Sequence, residues 1–385
     1  MAIAKVIILT GSYGAGHKRA AHALAKALDL NTSQFSTRIL DVTSLATPKL
    51  DSLEKRTFLS GVTHFPSLYH YIYKKTQKNN IASSLIKKMN RFGIYRLISA
   101  LEEEHPDLIV STFPIASVMM SLIKQAEWFT SVPFLTVITD YSVHSTWVNQ
   151  HTDGYLVASR EVKQMLVDMK VDPRKIMITG IPIHPKFSVL QNKNELKEKY
   201  HIPYHQKVLL LMGGGGGIFG HFLPILRQLD KMEPDVRIVI ICGQNRKIFQ
   251  QFTQFSRTAK HDIQVEGFVH NMNEWMAIAD LLITKPGGLT ISEAIASELP
   301  MIIYRPLGGQ EADNTQFLLS SGISVATNNH SDLVEHLNDL LSNPLTLDIM
   351  RNNMKPYSME QRKSAENAAN AIAQFLSAAS SIQFA

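Results

Sequence analysis

The 385-residue sequence contains one cysteine, Cys242. That excludes a disulfide framework and any zinc cluster built on cysteines. No apolar run reaches the roughly 18–20 residues of a membrane-crossing helix, so an integral helical membrane protein is not expected. The opening Met-Ala-Ile-Ala-Lys-Val-Ile-Ile-Leu-Thr lacks a basic region and a cleavage site, so secretion is not expected either. There is no short internal repeat, and no low-complexity tract beyond one run of glycines. Charged residues make up 19% and hydrophobic residues 45%, which excludes a disordered chain. At about 100–200 residues per domain, the length accommodates two domains.

Acidic residues are absent from Lys55 to Leu101. The basic residues there supply +9 of a chain whose net charge is +6, leaving the remainder at −3. Aromatic and aliphatic residues, among them Phe65, Tyr69 and Tyr73, alternate with Lys74, Lys75, Lys87 and Lys88. Such a segment can bind an anionic membrane surface, where each Lys or Arg contributes about 1 kcal/mol. A helical insertion with a solvated basic face fits the same composition. So does a nucleic-acid patch, because aromatic rings also stack on bases.

The rest of the chain alternates short apolar runs with helical periodicity, the pattern of parallel α/β layers. In the first half, strands are predicted at Lys5–Thr10, Thr37–Asp41, Asp107–Ser111, Phe134–Thr139, Tyr155–Ala158 and Lys175–Thr179. Gly180-Ile-Pro-Ile-His-Pro185 then breaks the pattern, and a polar stretch, Gln191–Gln206, leads into a second cycle. Its strands are predicted at Val208–Met212, Val236–Cys242, Ile263–Glu266, Leu281–Thr284, Met301–Tyr304 and Ile323–Ala326. Two Rossmann-like halves follow, 1–185 and 186–359, with an alanine-rich helix near 360–385.

Four strand-to-helix loops carry the chemistry. The first strand runs into Thr10-Gly11-Ser12-Tyr13-Gly14-Ala15-Gly16-His17. Gly11 and Gly16 have phosphate-loop spacing, but His17 replaces the lysine and Lys18 the hydroxyl residue. Gly14 and Gly16 begin a dinucleotide fingerprint, but Arg19 replaces its third glycine. What remains is a turn presenting His17 at a helix start. There it can act as a general base near pH 7 or simply cap the turn.

Met212 is followed by five glycines, Gly213, Gly214, Gly215, Gly216 and Gly217. So flexible a run directly after a buried strand allows close backbone approach to phosphate. Then Thr284-Lys285-Pro286-Gly287-Gly288-Leu289-Thr290-Ile291-Ser292-Glu293 places glycines before a third helix. Glu293, read near that helix's first turn, can support the helix dipole or accept from a ribose diol. Gln310, Glu311 and Asn314 lie at a further strand-to-helix junction. Together these loops favour a nucleotide diphosphate ligand.

Taken in order, these motifs resemble the monogalactosyldiacylglycerol synthases and processive diacylglycerol β-glucosyltransferases, and more distantly the transferase that makes lipid II. The resemblance rests on Gly14–His17, Ser111-Thr112-Phe113-Pro114, and Thr139-Asp140-Tyr141 with His144 and Trp147. It continues through Thr179–Pro182, Gly213–Gly217, Thr284–Glu293, and Gly309–Glu311 with Asn314. It spans almost the whole chain.

The resemblance implies a GT-B fold, two Rossmann-like domains facing each other across a cleft, with the final helix packing back on the first. It implies inverting transfer of glucose, or alternatively galactose, from a UDP-sugar to diacylglycerol. His17 would be the base, with Asp140 its rival or partner. Gly213 to Gly217 would cradle the diphosphate, with Gly287, Gly288, Thr290 and Asn314 also on the donor side. Phe268 and Val269 would border the uracil, Glu293 would hold the ribose, and Gln310 and Glu311 the hexose. Gly16, Trp147 and the basic-aromatic segment would serve the acceptor and anionic membrane lipids at the cytoplasmic face of the cell membrane.

No cofactor, metal or nucleic acid is expected. No D-x-D motif is evident, and helix N-termini with backbone N–H groups can stabilise a leaving diphosphate. Other readings are an N-acetylglucosamine transferase acting on a polyprenyl lipid, a UDP-sugar epimerase, which the basic-aromatic segment disfavours, and a non-catalytic UDP-sugar sensor binding a protein partner.

Overall fold

The computed structural model describes residues 3–12, 14–30, 34–46, 91–213, 222–231 and 236–383. Two compact units emerge. One comprises Met1–Pro185, Leu307–Gln310 and Lys363–Ala385; the other comprises Lys186–Pro306 and Glu311–Arg362. Each carries one six-stranded, all-parallel sheet.

In the first unit, β1 (Ala4–Thr10), β2 (Phe35–Asp41), β3 (Leu108–Ser111), β4 (Phe134–Val137), β5 (Gly154–Val157) and β6 (Ile176–Ile178) form the sheet. Their spatial order is β2-β1-β3-β4-β5-β6, so the topology switches between β1 and β3. Helices α1 (Ala15–Leu30), α2 (Val42–Ala46), α3 (Arg91–Glu104), α4 (Pro114–Gln125) and α5 (Arg160–Asp168) flank it.

Successive side chains of β1 enter opposite cores. Val6 and Ile8 join Leu24 and Leu28 of α1. Ile7 and Leu9 join Leu97 and Leu101 of α3 and Met119, Met120 and Ile123 of α4. Burial on both faces is why these strands read as unbroken apolar runs. Each such buried Leu or Ile contributes roughly 1.5–3 kcal/mol.

In the second unit, β7 (Lys207–Met212), β8 (Val236–Ile241), β9 (Ile263–Glu266), β10 (Leu281–Thr284), β11 (Met301–Tyr304) and β12 (Ser324–Thr327) lie in the order β12-β11-β10-β7-β8-β9. Counted from β7, this is the 3-2-1-4-5-6 order of dinucleotide-binding Rossmann sheets. Its switch falls between β7 and β10, whose last residues, Met212 and Thr284, pair directly. The helices are α6 (Lys193–Lys199), α7 (Phe222–Leu229), α8 (Arg246–Ser256), α9 (Met272–Ile278), α10 (Gly288–Ala296), α11 (Gln310–Ser320), α12 (His330–Ser342) and α13 (Pro344–Arg362).

Helix α14 (Ser364–Gln383) packs on α1 in the first unit, and Ala365, Ala368, Ala369 and Ile372 enter its core. Small side chains on both helices permit the close approach.

Helix α6 forms inside the stretch read only as polar. Asn192 caps it, accepting from the N–H groups of Asn194 and Glu195, while its amide donates to Glu195 Oε1 at 2.8 Å. That Asn-x-x-Glu spacing is a capping signal visible in the sequence. Among the basic-aromatic positions, Phe65, Tyr69, Tyr73, Lys74, Lys75, Lys87 and Lys88 lie outside the described residues. Gly214 to Gly217 do so as well.

Candidate active site

In the first unit, His17 lies in the first turn of α1, just after the loop that follows β1, at the switch point where ligands bind in open α/β sheets. The preceding loop is tied down on one side by Asp41, the last residue of β2. Asp41 accepts from the Ser12 hydroxyl, from Thr43 N at 3.1 Å, and pairs with the Lys18 ammonium. Burial alone would raise the Asp41 carboxyl; the bonds from Lys18, Ser12 and Thr43 outweigh it and hold it down at about 2. Asp41 is therefore a fixed anion that braces the loop.

On the other side the brace is threonine. Thr112, just beyond β3, donates its hydroxyl to the His17 carbonyl at 3.1 Å. Thr139, just beyond β4, places Oγ1 2.8 Å from His17 Nδ1. The imidazole is half-buried, with its centroid 5.1 Å from the Phe113 ring and 6.2 Å from the Trp147 ring. Desolvation by these surroundings pushes His17 down to about 4, and the Thr112 carbonyl, which favours the charged form, only partly opposes it. At neutral pH the ring is uncharged and able to accept a proton.

Asp140 is buried next to Thr139 in the chain. The group at His17 Nδ1 is nonetheless the Thr139 hydroxyl. Trp147 is also buried, edge-on to His17, so its side chain supports the imidazole. Gly16 is half-buried in the first turn of α1.

In the second unit, Gly213 is buried at the end of β7, and Thr284 ends the neighbouring β10. Helix α10 starts at Gly288 with Gly287 as its cap residue and no side-chain cap, so its first N–H groups keep their donor capacity for a ligand. A Cβ built at Gly287 meets nothing within 4 Å, so bare backbone borders open space there. Lys285 is half-buried beside this turn, and among the described residues its ammonium makes no ion pair.

Glu293 is in the second turn of α10 and 1% exposed, and Thr290 is buried beside it. No acidic residue occupies the first turn, which removes the helix-dipole explanation for Glu293. The Asn314 amide donates to Pro286 O at 3.0 Å, tying α11 to the loop after β10. Gln310 and Glu311 are half-buried at the start of α11. Val269 is half-buried, and Phe268 is 60% exposed with one edge against His270.

The Monogalactosyldiacylglycerol (MGDG) synthase profile matches residues 17–183, and the Glycosyl transferases group 1 profile matches residues 219–361. A Processive diacylglycerol beta-glucosyltransferase from Bacillus pumilus (strain SAFR-032) is 31% identical over 360 residues, covering 91% of this chain and 90% of the relative. The chain belongs to the processive diacylglycerol β-glucosyltransferase family. MurG from Acinetobacter baumannii superposes with a TM-score of 0.59 at 15% identity, covering 98% of this chain and 99% of that one. MnaA from S. aureus, solved with UDP, gives 0.63 at 15% identity, covering 97% of each. These two likenesses show the GT-B glycosyltransferase fold.

Within this diacylglycerol glucosyltransferase scaffold, three residues have roles that sequence reasoning left unassigned. Thr112, Phe113 and Thr139 all stand in motifs that mark the family resemblance, but only the fold brings them to His17. The available signal was positional: each follows an apolar run at the carboxyl edge of the sheet, where functional side chains gather.

Proposed function

We propose that the chain moves glucose from UDP-glucose to diacylglycerol with inversion at the sugar carbon, at the cytoplasmic face of an anionic membrane. The observation that carries the chemistry is the His17 imidazole held by the Thr139 hydroxyl at the sheet switch point of the first unit. The acceptor hydroxyl oxygen attacks the anomeric carbon, the bond from that carbon to the diphosphate breaks, and the hydroxyl proton passes to His17. UDP departs with the electron pair.

On the donor side, Gly213 to Gly217 and the uncapped start of α10 with Gly287 and Gly288 receive the diphosphate. Glu293 accepts from the ribose hydroxyls, the exposed face of Phe268 with Val269 covers the uracil, and Gln310 and Glu311 meet the hexose. Asn314 contributes by fixing the turn at Pro286. Backbone N–H groups aimed at the leaving charge supply the electrostatic stabilisation that such a transfer needs, so the reading requires no metal. Among the described residues no helix is long and apolar enough to cross a membrane. Attachment through the basic-aromatic segment is the corresponding proposal.

Purified protein with diacylglycerol vesicles, EDTA and radiolabelled UDP-glucose, UDP-galactose or UDP-N-acetylglucosamine tests this. Labelled glucolipid should form in EDTA, fastest with UDP-glucose. Absence of labelled lipid with all three donors overturns the reading.

A further inference from the structure

We infer that Thr139 is a positioning residue that sets the tautomer of His17, so that its hydroxyl does the work a carboxylate does in many His-based sites. The inference rests on the proposed role of His17 as the base. A base must present a bare nitrogen to the proton it takes. Nδ1 of His17 is engaged inside the protein, 2.8 Å from Thr139 Oγ1. Nε2 is then the nitrogen left for the acceptor hydroxyl. It can be bare only if Nδ1 carries the ring proton and donates it to Thr139, because in a neutral imidazole one nitrogen donates and the other accepts.

The surroundings make this hydrogen bond decisive. Thr139 is 4% exposed, so water does not readily replace its hydroxyl. Phe113 and Trp147 confine the ring plane. Thr112 fixes the backbone of the same residue through the His17 carbonyl. Thr112 and Thr139 follow adjacent strands, β3 and β4, so the clamp sits directly at the carboxyl edge of the sheet. A hydroxyl partner also differs from a carboxylate in consequence. It orients the ring without adding the negative charge by which a carboxylate would raise the histidine's proton affinity.

The test uses Thr139→Val, which keeps the shape and removes the acceptor, and Thr139→Ser, which keeps the hydroxyl. Nitrogen-15 NMR of histidine-labelled full chain reads the His17 tautomer without substrate, assigned by comparison with His17→Gln. The wild type and Thr139→Ser should show protonated Nδ1 and bare Nε2, and Thr139→Val should lose that preference.

In the glucosyl-transfer assay Thr139→Val should lower kcat by roughly tenfold, the worth of one oriented hydrogen bond, with KM for UDP-glucose unchanged. Thr139→Ser should recover most of it. A wild-type His17 with its proton on Nε2 overturns the inference, even if Thr139→Val does not fold. So do Val and Ser variants that are equally impaired, which is what a merely structural threonine predicts. Because the NMR readout needs no turnover, a chain inactive toward diacylglycerol would refute the proposed function and leave the tautomer assignment separately tested.

Discussion

Gly11 gives the sharpest test of how the first-unit site is packed. It follows β1 directly, and a Cβ placed on it would lie 2.4 Å from both Cδ1 and Cε1 of Phe113 and 2.8 Å from its Cγ. Real Cβ contacts do not come that close, and Phe113 is 4% exposed, so the ring has little room to retreat. Overpacking of this kind costs about 1–3 kcal/mol. For a unit of this size that is roughly 2–4 °C in Tm per kcal/mol, so Gly11→Ala should melt about 2–12 °C below the wild type.

The Phe113 ring also touches the His17 imidazole, so its displacement should lower kcat while KM for the UDP-sugar stays near normal. Phe113→Leu should then be less harmful beside Gly11→Ala than alone, with a coupling of about 0.5–3 kcal/mol in a double-mutant cycle followed by thermal unfolding. Additive effects, or a Gly11→Ala Tm within about 1 °C of the wild type, would refute the claim that this contact positions the ring.

Three further outcomes follow from the same structure. His17 is held down at about 4 by burial, against an ordinary 6.5. Between those values the unfolded chain binds the proton and the native chain resists it. Stability should therefore be full above pH 6.5, fall by about 1–3 kcal/mol as pH drops to 4, and lose no more from this group below that. Denaturant melts of His17→Gln should show a smaller acid-side loss, and identical pH profiles would contradict the assignment.

Glu293→Ala should raise KM for UDP-glucose by roughly tenfold or more while changing kcat less, read from initial rates. A dominant loss in kcat would instead place Glu293 with the reacting groups. Replacing Lys74, Lys75, Lys87 and Lys88 with glutamine should weaken binding to anionic vesicles by up to about 4 kcal/mol in a sedimentation assay, and added salt should weaken wild-type binding in the same direction. Unchanged binding would remove these lysines from the membrane surface.

The strands were the most legible part of the chain. Parallel strands covered on both faces must be apolar at every position, and Val6–Leu9 and Val208–Met212 show that in one dimension. The glycine loops were legible for a related reason, because a strand that stops at glycine before a helix announces the ligand edge of the sheet.

Depth and partnership were not legible. Glu293 reads as a first-turn carboxylate until the true start of α10, at Gly288, puts it one turn deeper and 1% exposed. Thr139 lies 122 residues from His17, and no local periodicity links residues that meet only because β1, β3 and β4 are neighbours. Trp147 enters the sequence reading through its motif alone, and its burial edge-on to His17 appears only in the fold. The polar Gln191–Gln206 stretch hid a helix whose capping pair, Asn192 and Glu195, was present in the sequence.

The central claim is that His17 is the base of a glucosyl transfer to diacylglycerol. Its most direct measurement is single-turnover transfer from radiolabelled UDP-glucose to diacylglycerol vesicles by wild type and His17→Ala, with UDP binding measured by calorimetry on both. The expected result is labelled glucolipid from the wild type, a rate lower by at least 10²-fold in His17→Ala, and an unchanged UDP Kd. A His17→Ala protein that transfers glucose at a near wild-type rate would contradict it.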